Sequence, residues 1–390
     1  MMRFTFDDRQ PYDLPPLPPL RKVVAHALVW AGLVVLAVWG VGRLASDRWV
    51  LTQFASWLPS ILVAAWATVC VAGHWLLTRG HAWPLGRGRV VLMRVLLGLA
   101  LAHATWELRP HRLVLPVAPS AARDQVLRVL HWNVSQTKHA GLAGVLAQHD
   151  SDVLLLANPP FEPSLGSVRD ELGALPAAKP SMLLQGGRLA VLSRERVLRW
   201  AFTQLRVEGS PARAFSWPGG GMVSIDQGEA MVVELDTHAR LGRSTVIWFV
   251  DMPSEPTISR WSMMERARTR LTAPDMPITS LVDVFAMVPL SPPAGSDAAA
   301  IRARLASPDI VMGDMNTPRG SASLGLLAPG AGDAFAQAGS GWARTFPGFF
   351  PVLAINNGLI GPQLRCVTYR VLPMGMTRHR AQLVEVQRRE

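Results

Sequence analysis

Residues 309–320, "DIVMGDMNTPRG", carry a short apolar run into an aspartate and an asparagine two positions apart, Asp314 and Asn316, on a turn rich in glycine and proline. A carboxylate and an amide oxygen at the mouth of a strand are hard donors of the kind a metal-dependent phosphoesterase offers to phosphate, provided that further acids and a histidine converge there. The competing reading needs no partner, because Asp and Asn also close turns by bonding their own backbone. The choice depends on the elements that position these side chains.

From residue 125 onward apolar runs and helical spacings alternate. "VLRVLHWNV" is strand-like, "HAGLAGVLAQHD" has helical spacing, and "SDVLLLANPP" is a short apolar run closed by prolines. "RLAVLSR", "EAMVVELDT", "STVIWFVDMP", "PDIVMGDMN", "LAINNGLIG" and "LRCVTYRVLP" read as further strands, with helices around 260–272 and 296–306. This alternation predicts an α/β domain over residues 125–390 whose polar residues sit at strand ends. The Pro, Gly and Ala runs near 291–300 read as a surface loop. Neither a P-loop nor a Cys/His zinc pattern is present, and the "GGG" at 219–221 lacks the strand-to-helix context of a phosphate-binding turn.

The apolar excess of the chain, 49% of 390 residues, is concentrated at the front. Twenty uncharged residues lie between Lys22 and Arg43, enough to cross roughly 30 Å of hydrocarbon as a helix. Residues 23–42, 50–77 and 90–106 are expected to span, the second despite Pro59 and the third with Arg94 snorkelling to the headgroups. A cleaved signal peptide fits less well, since polar, proline-rich chain precedes the first span and two more follow it. Trp30, Trp39, Trp57 and Trp66 read as membrane packing or interface anchors.

The net charge of +11 divides unevenly. Residues 1–124 hold 13 Lys+Arg against 6 Asp+Glu, a net of +7, which leaves +4 for the remainder. Most of the basicity is therefore topogenic, and nucleic acid is not an expected partner. Arg21 and Lys22 precede the first span, and Arg79, Arg87 and Arg89 lie between the second and third. Arg43 and Arg48 of the first loop are offset by Asp47. The positive-inside rule then places residues 1–22 in the cytoplasm and everything after about residue 110 outside, with 107–124 as a linker. Cys70 and Cys366 fall in different parts of the chain, so no disulfide within the large domain is possible and no compartment follows from them.

Read in order, "LRVLHWNV", "DSDVLLLANPP", "GRLAVLSRERV", "TVIWFVDMPSEP", "PDIVMGDMNTP", "RTFPGFFPVLAINNGLIG" and "TRHRAQLVEV" resemble the endonuclease/exonuclease/phosphatase superfamily over residues 126–387. The three-span anchor with an outside domain resembles its membrane-bound bacterial branch, which includes relatives of glycopeptide-resistance factors. The resemblance implies a two-sheet α/β sandwich of the DNase I-like kind, with its site where strand ends converge at one edge. It also implies a divalent ion, usually Mg²⁺, held chiefly by a carboxylate, since that ion demands hard oxygen ligands in near-octahedral geometry.

Position by position, Asn133 matches the family asparagine near the metal. Asp314 and Asn316 match the water-activating aspartate and its phosphate-orienting neighbour, and His379 matches the closing histidine. Other positions depart. The metal-binding glutamate falls at Asn158, the first catalytic histidine at Asp251, an Asp-His pair at Asn356 and Asn357, and the aspartate before the closing histidine at Arg378. An amide lacks the charge that offsets the dehydration of the ion, and losing a catalytic acid or base commonly costs about 10² to 10⁴ in rate.

These residues imply a membrane-anchored, weakly active or inactive relative that binds an anionic, phosphate-bearing ligand, with Mg²⁺ weakly held or lost. In that reading Arg378 and Asn356 contact the ligand, although a surface arginine is the bland alternative. A working phosphohydrolase acting on a lipid-linked phosphate is the second reading. Its metal shell would be rebuilt from Asp251, Asp314, Asn316 and His379, while Asp251 ahead of Pro253 also suits a plain turn. A scaffold that contacts another membrane protein is the third.

Overall fold

The computed structural model describes residues 16–79, 81, 87–114, 122–135, 142–159, 170, 182–207, 227–276, 298–375 and 377–390. The chain divides into two compact units, residues 1–46 with 51–108, and residues 47–50 with 109–390. The "GGG" at 219–221, most of the expected loop at 291–300 and the start of the amino-terminal segment lie outside the described residues.

The first unit contains α1 (Pro19–Ala45), α2 (Val50–Ser56), α3 (Ser60–Thr78) and α4 (Arg87–Leu108). Three helical stretches, Pro19–Ala45, Ser60–Thr78 and Gly88–Val114, are long and apolar enough to cross a membrane. Within the range expected for the second span, 50–77, the helix breaks at residues 57–59 and restarts at Ser60 with Pro59 as its N-cap. Proline lacks an N–H and disfavours helical geometry in the residue before it. α1 turns Ala25, Val29, Gly32, Leu33, Leu36 and Trp39 inward at helical spacing. At Gly32 a Cβ would lie 2.9 Å from Met93 Sδ and 3.2 Å from Cys70 Cβ, so a small residue sets the approach of the helices. Inside the bundle Trp39 Nε1 donates to Ser60 Oγ at 3.1 Å, and Arg43 Nη2 lies 3.0 Å from Glu107 Oε1.

The second unit is a sandwich of two six-stranded sheets. Its strands are β1 (Leu127–Asn133), β2 (Val153–Ala157), β3 (Met182–Gly186), β4 (Leu189–Ser193), β5 (Val197–Gln204), β6 (Glu229–Leu235), β7 (Thr245–Asp251), β8 (Ile310–Asp314), β9 (Gly332–Asp333), β10 (Asn356–Ile360), β11 (Leu364–Leu372) and β12 (Ala381–Arg388). The sheet orders are β11-β12-β1-β2-β4-β3 and β5-β6-β7-β8-β10-β9. β1 with β2 and β7 with β8 are parallel, and the other pairings are antiparallel. This is the two-sheet α/β sandwich that the resemblance implies.

Residues 109–114 are not a free linker: Arg109 and Arg112 of this stretch donate to the carbonyls of Ala336, Phe335 and Gly339 in the second unit. The inter-sheet core draws on alternate residues, among them Leu127 and Val129, Ile247 and Phe249, and Ile310 and Met312. Continuing that two-residue period places Asn133, Asp251 and Asp314 on the same inner face at the strand ends. Outside the second sheet, the helix Arg260–Leu271 turns Met263, Met264, Ala267 and Leu271 against Val250, Val311 and Met315.

Candidate functional site

Parallel pairing sets β7 and β8 in register, so Asp251 and Asp314 are partners at the ends of adjacent strands. In the facing sheet β1 ends at Asn133, and Asn158 follows β2 directly. β1, β2 and β8 then leave through left-handed residues that are not glycine: Ser135 with φ 57, Asn158 with φ 51 and Asn316 with φ 45. Such conformations persist where the surroundings fix them, and Asn tolerates them better than most residues.

The side chains form one continuous hydrogen-bonded set. Asn133 Nδ2 donates to Asp314 Oδ2 at 2.8 Å, and Asn158 Nδ2 donates both to Asp251 Oδ2 at 3.1 Å and to Asn133 Oδ1 at 3.2 Å. Carboxylates can only accept, so these bonds fix which end of each amide faces inward. Asn133 Oδ1 also accepts from the Ser135 backbone at 3.0 Å. Asp314 Oδ1 accepts from the Asn316 backbone at 3.1 Å, and Asn316 Nδ2 reaches the Met252 carbonyl at 2.7 Å. The turn reading and the site reading of Asp314 therefore coexist, one carboxylate oxygen serving each.

His379 closes the set. Its Nδ1 lies 3.3 Å from both Asp314 Oδ2 and Asn356 Oδ1, and Asn356 Nδ2 is turned away to the Arg380 carbonyl. Two acceptors facing Nδ1 place the proton there. The Phe346 ring packs 4.9 Å from the imidazole. Burial pushes the His379 pKa down, Asp314 opposes that shift and Arg378 adds to it. Arg378 itself is exposed between buried Thr377 and His379. Asn357, on the other face of β10, donates to the Thr317 and Ile355 carbonyls and does not join the set.

The buried carboxylates at the opposite end of the sandwich are held differently. Asp152 accepts from Arg123 at 2.9 and 2.7 Å, and Asp309 from Arg243 at 2.8 Å and Arg304 at 2.6 Å. At the site end of the strands, Asp251 and Asp314 accept from the amides of Asn158 and Asn133.

A divalent ion requires oxygen atoms turned toward a common point. Here amide N–H groups point at both carboxylates, and the Asn133 oxygen already faces several donors. Among the described residues no three His, Cys, Asp or Glu side chains gather as a metal set. This donor arrangement does not fit Mg²⁺.

Two contributors escaped the reading of the sequence. Arg260 is buried with its guanidinium on the Pro253 carbonyl at 3.0 Å and the Glu255 carbonyl at 3.1 Å. Burial lowers its pKa to about 10, with the nearby Asp314 acting the other way, so a cation stands behind the carboxylate. The signal was available: Arg260 occupies the apolar period of its helix, in line with Met263, Met264 and Ala267.

His131 is the second, fully buried on the inner face of β1 with its Nδ1 3.1 Å from Gln382 Nε2. Burial pushes its pKa down to about 3, and His379 adds to the shift. The unfolded chain takes up this proton near pH 6.5. Between about pH 6.5 and pH 3 the unfolded state thus binds more protons, so stability is full above that window and falls on acidification by up to about 1.4 kcal/mol per pH unit. Denaturant midpoints of the native chain are expected to fall more steeply with acid than those of His131→Gln. Parallel slopes would show that the folded state protonates the imidazole.

No protein-family model matches this chain. No curated protein matches it either. Among solved structures, an endonuclease/exonuclease/phosphatase from Beutenbergia cavernae DSM 12333 is 14% identical, covering 68% of this chain and 72% of that one at a TM-score of 0.42. A mannosyl-6-phosphatase of Bacteroides thetaiotaomicron VPI-5482 is 14% identical, covering 67% and 99% at 0.42. A 3′ phosphatase from Neisseria, bound to product DNA hairpin, is 13% identical, covering 66% and 98% at 0.40.

Proposed function

We propose that this chain is a membrane-anchored protein of the endonuclease/exonuclease/phosphatase kind whose former metal cleft is held shut by amides, and that it binds an anionic, phosphate-bearing ligand without hydrolysing it. In this reading the three helices cross a bacterial inner or plasma membrane, and the distribution of arginine and lysine places the sandwich on its outer side. One observation carries the reading. Asn158 and Asn133, at the positions where the resemblance implies metal ligands, donate N–H groups to Asp251 and Asp314. These bonds set neutral N–H donors on both carboxylates where a metal ion would need their oxygens. Arg260 behind Asp314 and exposed Arg378 beside His379 supply positive charge for an anion.

The retained contact between His379 and Asp314 favours a second reading, a working phosphohydrolase. The full chain in detergent, supplied with Mg²⁺ or Mn²⁺ and generic phosphodiester and phosphomonoester substrates, separates the two. The expected result is no turnover above that of Asp314→Ala. Turnover abolished by that substitution would establish the enzyme. In the first reading Asp314 is structural, so the same substitution is also expected to destabilise the sandwich by about 2 to 3 kcal/mol through the donors it leaves unmatched.

A further inference from the structure

An aromatic turn adjoins the cleft. Residues 346–351 form a tight loop, Phe346-Pro347-Gly348-Phe349-Phe350-Pro351, in which Phe349 is 88% and Phe350 63% exposed. The loop is pinned in place. Phe346 and Leu353 exchange backbone hydrogen bonds at 2.9 and 2.8 Å, Trp342 Nε1 donates to the Pro351 carbonyl at 2.7 Å, and Arg344 Nη1 donates to the Val352 carbonyl at 3.0 Å. At its base Gly348 donates to the Arg378 carbonyl at 2.6 Å, while Arg380 Nε returns a bond to the Gly348 carbonyl at 3.0 Å. A Cβ on Gly348 would lie 2.1 Å from the Thr377 carbonyl oxygen, so only glycine brings the loop this close.

A fixed loop that holds two neighbouring phenylalanines in water forgoes their burial, and such a patch marks a surface that meets another phase or molecule. The charge around it narrows the choice. The residues that tie the loop down include Arg344, Arg378 and Arg380, of which Arg378 is exposed, and none of those bonds involves an Asp or Glu. Aromatic tips above arginines suit the boundary between acyl chains and anionic headgroups. The same chain carries three helices able to span a bilayer, which keeps such a boundary within reach.

We propose that Phe349 and Phe350 insert into the interface of an anionic bilayer, with Arg378 on its phosphates, as a second membrane contact distinct from the spans. The contact does not depend on whether the cleft hydrolyses anything. It does set His379, whose ring packs on Phe346 of this loop, close to the headgroup layer.

The test uses the full chain reconstituted in vesicles of phosphatidylcholine and phosphatidylglycerol. Cys70 and Cys366 are buried, so an environment-sensitive thiol dye reports on Phe349→Cys, with Arg389→Cys as an exposed control. The dye at 349 is expected to emit to the blue of the control, to be quenched by spin-labelled lipid, and to be shielded from aqueous iodide. Iodide access equal to that at 389 would overturn the proposal. Protection from both quenchers would also overturn it, since a second copy or another protein would then cover the loop. Undiminished lipid quenching in phosphatidylcholine alone would refute the role given to charge.

Discussion

Asn158→Glu is expected to make the stability of the chain depend on magnesium. The asparagine donates to Asp251 and to Asn133 from a left-handed backbone. Glutamate can donate to neither, sets a second carboxylate against Asp251, and is less at ease with positive φ, at a cost of roughly 1 to 2 kcal/mol for the backbone alone. In chelator the variant should therefore lose about 2 to 4 kcal/mol. Adding the ion reverses the sign, because three carboxylates on one cleft replace amide hydrogens with charge that offsets dehydration. A gain of more than about tenfold in Mg²⁺ affinity over the native chain is expected. At a hundred times its Kd the ion restores about 2.7 kcal/mol. Unfolding curves of both proteins with and without Mg²⁺ decide the matter. Equal magnesium shifts in the two would mean that the native cleft already takes the ion, and the amide reading would fall.

Gly313→Ala is expected to unfold the sandwich outright. A Cβ at this position would lie 1.8 Å from the carbonyl oxygen of Val250. Gly313 is laddered to Val250 on one side and to Asn357 on the other, so neither neighbour can withdraw without breaking a sheet. The cost should exceed about 4 kcal/mol, beyond what most single substitutions inflict. Gly325→Ala is the control, since nothing lies within 4 Å of the added carbon. Limited proteolysis should leave the control resistant and degrade Gly313→Ala to the part that holds the three long apolar helices. Should both prove equally resistant, β7 and β8 are not packed this closely, and the side-by-side placement of Asp251 and Asp314 loses its basis.

The parts of the fold that the sequence discloses are those buried on both sides. β2 and β8 are buried along their whole length and read as unbroken apolar runs ended by polar residues. β5 at a sheet edge alternates in burial, and its "VLRWAFTQ" shows no clear run. β3 escaped for the same reason, its ends only half-buried. The break at Pro59 was hidden by hydropathy, which does not sense a missing N–H. In the site, the strand-end positions of Asn133, Asp251 and Asp314 were readable from period and order. The direction in which Asn158 turns its amide was not, because Asn is donor and acceptor at once and only the neighbouring carboxylates decide. Arg260 and His131 were legible in principle: each lies in phase with apolar neighbours that must be inside.

The two cysteines, one per unit and both buried, give each unit its own clock. Burial pushes the Cys366 thiol up to about 12, so it stays unreactive until β11 comes away from the sheet. Cys70 waits in turn on separation of the helices that enclose it. A single alkylation time course on the unaltered chain would thus resolve into two rates, and a substitution in the sandwich should quicken one while leaving the other as it was.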